Sequence, residues 1–149
     1  MSRTTRVMQC TPADVWAVLE DAWSYGMWVV GAARIRDVEM HWPQVGSKIH
    51  HSVGAWPVLL SDHTEVERME PNELLQLRVK AWPTGEGRVT LTIKPSGEGE
   101  TEVAMEEQAI SGPATLLPKP AQDFMLDMRN KEALLRLSYI AEHHARSRG

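Results

Sequence analysis

The segment Leu74-Leu75-Gln76-Leu77-Arg78-Val79-Lys80-Ala81, with Arg88-Val89-Thr90-Leu91-Thr92-Ile93-Lys94 after a glycine-bearing turn, decides the fold. Leu75, Leu77, Val79 and Ala81 share one face of the first run, and Val89, Leu91 and Ile93 share one face of the second. A period of two is that of a strand with one dry and one wet face. Working outward, the same alternation predicts strands at Ala33–Met40, Ser47–Val53, Val58–Met69, Leu74–Trp82, Arg88–Lys94 and Thr101–Ile110, with a short opening strand from Arg3 to Gln9. Trp42-Pro43, Gly54 to Pro57, Glu70-Pro71-Asn72, Thr84 to Gly87 and Ser96 to Gly99 supply the turns, so consecutive strands should pair as an antiparallel meander. The wet faces agree with this. Glu65 and Glu67, then Arg78 and Lys80, then Arg88 and Lys94, then Glu102 and Glu106 place opposite charges across two of three seams.

Two helices frame the strands. Thr11-Pro12-Ala13-Asp14 is a helix start: Thr11 caps, Pro12 suits the first helical position, and Asp14 completes a capping box. Val15, Val18, Leu19 and Ala22 form its core stripe, and Gly26 closes the helical region or a second short turn. Pro113, Pro118 and Pro120 mark an irregular crossing before Ala121 to about Arg146, a stretch without Gly or Pro. At 1.5 Å per residue it makes a helix of roughly 39 Å. Leu126, Ala133, Leu134, Leu137, Ile140 and Ala141 form its stripe, with Phe124 and Met128 near its start and the polar Asn130 among them. The tail from His143 to Gly149 is expected to fray.

The 149 residues suit one domain spanning 1–149. A net charge of −4 without a basic run argues against nucleic acid as partner. The single cysteine, Cys10, excludes an intrachain disulfide and a thiolate metal cluster, and reads as an inert small core residue. No apolar h-region follows the Met-Ser-Arg-Thr-Thr-Arg start and no run is long enough to span a membrane. The expectation is a cytoplasmic protein without stable membrane insertion. Nothing in the sequence argues for a particular oligomeric state.

Strand, helix, six strands, long helix is an α+β order. Seven antiparallel strands must bury their dry face, and the C-terminal helix is the one element long enough to cover it. A curved sheet gripping one helix encloses more space than the helix fills, so a pocket is expected near the first helix. The Thr11-Pro12-Ala13-Asp14-Val15-Trp16 opening, Tyr25-Gly26-Met27-Trp28, and Asp62-His63-Thr64-Glu65-Val66 followed by Glu70-Pro71 resemble the START-like (SRPBCC) helix-grip superfamily of polyketide cyclases, lipid-transfer domains and plant pollen-allergen proteins. More narrowly, Trp28-Val29-Val30-Gly31, Trp42-Pro43, Gly46-Ser47, His50-His51-Ser52-Val53-Gly54 and Trp56-Pro57 are similar to bacterial proteins of the polyketide cyclase/dehydrase type. The resemblance covers nearly the whole chain. It implies a hydrophobic cavity for lipids, polyketides or hormones, and no motif of an aromatase active site accompanies it.

Alternation also says which polar groups face that cavity. Ile49, His51 and Val53 share a face; so do Val58, Leu60, Asp62, Thr64 and Val66; so do Val103, Met105 and Glu107. His51, Asp62 and Glu107 are therefore expected inward, opposite Asn130, unless a bulge shifts the register. A buried carboxylate needs a partner, and an imidazole is a natural one. Such a pair would also serve as the acid/base for an enolisation. The expected walls are Leu77, Val79, Leu91 and Met105, with Phe124, Met125 and Met128 as a soft side. Trp28 and Trp56 can stack on a flat ligand, although buried indoles are ordinarily core, as is expected of Trp16 on the first helix. His41, His50, His51 and His63 do not make a metal site: His50 and His51 point to opposite faces and no ligand spacing links the four. No cofactor is indicated. The sequence thus favours a binder of a small hydrophobic or aromatic molecule, ahead of an aromatase/cyclase-type enzyme using His51 with Asp62 or Glu107, and of a protein-interaction module.

Overall fold

A computed structural model describes residues 2–29, 32–55, 58–81 and 85–148. Strand β1 (Ser2–Met8) leads into α1 (Pro12–Glu20), a 3-10 turn (Ala22–Ser24) and the single-turn helix α2 (Tyr25–Trp28). Six strands follow: β2 (Ala32–Val38), β3 (Lys48–Ala55), β4 (Val58–Glu70), β5 (Leu74–Ala81), β6 (Gly85–Gly97) and β7 (Glu100–Ser111). A second 3-10 turn (Pro113–Leu116) precedes α3 (Lys119–Arg148). The strands form one antiparallel sheet of seven in the order β1-β7-β6-β5-β4-β3-β2, a meander whose first strand closes onto its last. The chain has the α+β helix-grip architecture that the element order implies.

Local chemistry explains the boundaries. Thr11 Oγ1 accepts from the Asp14 amide while the Asp14 carboxylate takes the Thr11 amide at 2.9 Å, a complete capping box with Pro12 at the first helical position. Asn72 adopts φ 65° in the Glu70 to Glu73 turn, a conformation asparagine tolerates. Several boundaries differ from the sequence reading, and two of the differences have a plain physical cause. Gly85 to Gly87 pair within β6, where a turn is expected, because β6 is bridged on both sides there: Gly87 lies opposite Ala109 of β7 and Val79 of β5, and Glu86 opposite Lys80 of β5. At Gly85 (φ +104°) any side chain would collide with the Ser111 carbonyl, so only glycine lets the strands meet there. The second difference is that α3 runs on to Arg148 instead of fraying from His143, because His144 Nδ1 sits 2.9 Å from Asp14 Oδ1.

The predicted alternation holds across β5 and β6, while bulges shift β4 against β5 after Val66 and β6 against β7 at Glu86. Leu75 pairs with Leu91 and Leu91 with Met105, so fully or nearly buried side chains cross the sheet in rows. On the wet face Arg88 reaches across β5 to Glu67 at 2.8 Å, Arg78 meets Glu86, and Arg3 meets Glu106. The core is densest where β1, α1 and the second half of α3 converge, with Met8, Val15, Leu137 and Ala141 wholly buried. Thr4 Oγ1 donates to Asp127, and the Gln9 amide to Glu142, tying α3 to β1.

Candidate functional site

The other end of the interior is not filled, and the sheet rows say why. One row carries Val66, Leu77, Val89 and Glu107, so three apolar side chains run into a carboxylate. The adjacent row carries Thr64, Val79, Gly87 and Ala109, shrinking from a valine to a hydrogen and a methyl. Opposite this thin stretch lies the first half of α3. An outer cavity of about 110 Å³ results, bordered by Gly85, Gly87, Ala109, Leu117, Gln122, Met125 and Leu126. An inner chamber of about 40 Å³ is bordered by Tyr25, Trp28, Leu77, Val89, Met105, Asn130 and Ala133. Val79, Glu107 and Arg129 border both.

Glu107 is the hinge between the two spaces. It is 8% exposed, and burial pushes its carboxyl above the ordinary 4.5, opposed by the Arg129 guanidinium and the Asn130 amide. Arg129 Nη2 stands 3.9 Å from Glu107 Oε1, at the margin of an ion pair, with its own side chain half in solvent. Asn130 is near enough to favour the ionised carboxylate, yet its Nδ2 has no acceptor at hydrogen-bond distance. Tyr25 is buried, exchanges a 2.7 Å hydrogen bond with Thr64 Oγ1, and is pushed up to about 12 by burial, with Thr64 opposing. Its ring meets Trp28 edge-on at 5.6 Å and Trp42 at 6.4 Å. Trp42 is itself fixed by donating to the Leu19 carbonyl at 3.1 Å.

Of the residues picked from sequence, Trp28, Leu77, Val79, Met105, Glu107 and Asn130 line this space. Leu91 is wholly buried and packs in the core without bordering either cavity. Phe124 and Met128 are corrections: they are 66% and 58% exposed and turn away from the cavity. The helix presents Met125, Leu126 and Arg129 to the cavity instead, because its inward stripe follows Asn130, Ala133 and Leu137 back by whole turns. His51 and Asp62 are Cα partners, two residues along from the Ile49–Thr64 pair, but their side chains lie outside the described residues. Their strands do not adjoin that of Glu107: β4 and β7 are three spacings apart, about 14 Å at ~4.8 Å each. Trp56 lies outside the described residues. Among the described residues no group of three or more His, Cys, Asp or Glu is placed to hold a metal ion. No described helix is long and apolar enough to cross a membrane.

Sequence reasoning missed Gly87, Ala109, Tyr25 and Arg129. A usable signal existed for the first. Gly85, Gly87 and Val89 continue the inward phase of β6, so two consecutive inward positions lack a side chain.

The fold is shared with solved structures of low identity. The chain matches one from Mesorhizobium loti at 19% identity with a TM-score of 0.68, covering 95% of this chain and 96% of that one. It matches one from Geobacillus kaustophilus at 11% identity with a TM-score of 0.70, covering 93% of each. The di-domain ARO/CYC StfQ of the steffimycin biosynthetic pathway matches at 14% identity with a TM-score of 0.70, over 99% of this chain and 46% of that one. No curated protein is significantly similar in sequence. The family described as polyketide cyclase / dehydrase and lipid transport matches residues 2–134, and the chain belongs to that family.

Proposed function

We propose that the protein binds a small hydrophobic or aromatic molecule, lipid or polyketide-like, between α3 and the β5 to β7 part of the sheet. The observation that carries this reading is the unfilled interior itself: a predominantly apolar cavity with a buried carboxyl at its inner end, beside a core that is otherwise close-packed. The apolar body would lie against Val79, Leu117, Met125 and Leu126, and the polar end would enter the chamber at Glu107 and Asn130. Native mass spectrometry of the purified chain, followed by extraction, should find a retained small molecule. Consistent absence of one, with no thermal shift across a panel of fatty acids, phospholipids and aromatic polyketides, would sink the reading.

A second reading, an aromatase/cyclase-type enzyme, is favoured by one observation. Burial raises the Glu107 carboxyl above the ordinary 4.5, the direction that lets a carboxyl hold a proton it can also give. In that reading Glu107 is the acid/base group, and the His51–Asp62 backbone pair is the alternative. Glu107→Gln separates the two readings: a binder keeps its ligand, whereas an enzyme keeps binding and loses turnover.

A further inference from the structure

Interior polar groups generally find partners within the protein. The Tyr25 hydroxyl has Thr64, Trp42 Nε1 has the Leu19 carbonyl, and Thr101 Oγ1 donates to the Cys10 carbonyl at 2.7 Å. Among the described residues, two buried side-chain N–H groups have none at hydrogen-bond distance: Trp28 Nε1 and Asn130 Nδ2. Both residues are 2% exposed, and both border the inner chamber. An unpaired buried donor costs about 1–3 kcal/mol, so two against one small space is not a neutral arrangement.

Resting on the cavity-binding reading, the geometry points to a ligand that brings a neutral carbonyl oxygen into the inner chamber, where Trp28 Nε1 and Asn130 Nδ2 donate to it. The indole N–H donates only, which requires an acceptor from the ligand. A carbonyl oxygen offers two lone pairs and no proton to be placed, matching two donors. A carboxylate is disfavoured because it would face Glu107 across the same chamber, where, among the described residues, the one bordering cation is Arg129, itself half in solvent. The chamber's 40 Å³ exceeds the ~10–15 Å³ that one water needs, enough for a carbonyl group while the ring system stays in the outer cavity.

Matched bicyclic probes test this on the full chain labelled with nitrogen-15: indane, 1-indanone, 1-indanol and indane-1-carboxylate. The Trp28 indole resonance is assigned by its loss in Trp28→Phe. The expected result is that 1-indanone binds about tenfold more tightly than indane, one hydrogen bond's worth, and moves the Trp28 N–H resonance downfield. In Trp28→Phe and in Asn130→Leu that preference should shrink to about twofold or less. Equal binding of indane and 1-indanone, tightest binding of the alcohol or the carboxylate, or a preference surviving in both variants would overturn the donor pair and leave the cavity reading standing. No binding of any probe to the wild type would overturn both.

Discussion

The two halves of α3 cover the same sheet and do opposite things. From Ala133 onward the helix buries Ala133, Leu134, Leu137 and Ala141 against β1 and α1, and polar residues there find protein partners: Glu142 takes the Gln9 amide, and His144 meets Asp14. Over residues 119–129 the large apolar side chains Phe124, Met125 and Met128 are exposed, and what faces inward borders a void. The sheet changes in step, since the row under the first half thins from Val79 to Gly87 and Ala109. One end is built to be stable by itself. The other leaves volume, two N–H donors without an acceptor, and a buried carboxyl whose cation stands 3.9 Å away. A protein that needs only a fold has no reason to carry such an end, and this contrast is what supports the proposed binding site.

The sharpest way to break that contrast is to excavate the packed end. Leu137 is wholly buried, so Leu137→Ala should destabilise the protein by roughly 2–5 kcal/mol in urea unfolding. Met125→Ala, on the exposed stretch bordering the outer cavity, should change stability by about 0.5 kcal/mol or less. Comparable losses at the two sites would mean that the halves of α3 do not differ. Next in size is the polar latch of the packed end. Asp14→Ala removes the acceptor of the Thr11 amide and of His144 together, and should cost about 1–2 kcal/mol. Hydrogen exchange gives the local readout: amides over residues 140–148 should exchange faster, while those over 119–129 should be unchanged.

The packed end was the more legible in the sequence, for a physical reason. A filled core repeats, and repetition is what alternation and helical stripes detect: Leu75, Leu91, Ile93 and Val103 follow from period two, Leu134 and Leu137 from period 3.6. A cavity is a place where the pattern lacks material. Glu107 and Asn130 were visible as polar residues in apolar phase, but Gly87 looked like a turn and Tyr25 like ordinary helix-end sequence. Phe124 and Met128 are apolar yet exposed, since hydrophobicity alone does not fix burial. A helix that covers only part of its length against a core has apolar residues to spare. His144 was missed because it pairs with a residue 130 positions earlier, a distance no local pattern reports.

Glu107 tests the open end through pH. Its carboxyl is raised above 4.5 by burial, so the native state holds this proton more tightly than the unfolded chain. Stability contributed here is highest below about pH 4.5 and is lost as pH rises through the native value, because the unfolded state ionises more easily. Glu107→Gln should therefore be more stable than wild type at pH 8, with the difference shrinking toward pH 4.5 in urea midpoints taken across that range. A variant less stable than wild type at pH 8 would mean that Arg129 and Asn130 already neutralise the carboxylate, and that the open end is as well matched as the packed one.

The smallest effect is expected on the convex face, which belongs to neither end and so serves as the control. Arg88 donates through Nε at 2.8 Å and Nη2 at 3.2 Å to the two oxygens of Glu67, and this hydrogen-bonded guanidinium holds the Glu67 carboxyl below the ordinary 4.5. The geometry is bidentate but the partners are partly in water. Arg88→Ala should cost only about 0.2–1 kcal/mol, and less in 1 M salt, where the screening length falls to roughly 3 Å. Because Glu67 is lowered, that contribution is present above its unfolded value and fades as pH falls through the native one, the reverse of Glu107. Opposite pH slopes for Arg88→Ala and Glu107→Gln would trace the difference between a carboxylate held by a close bidentate partner and one whose burial outweighs a cation at 3.9 Å.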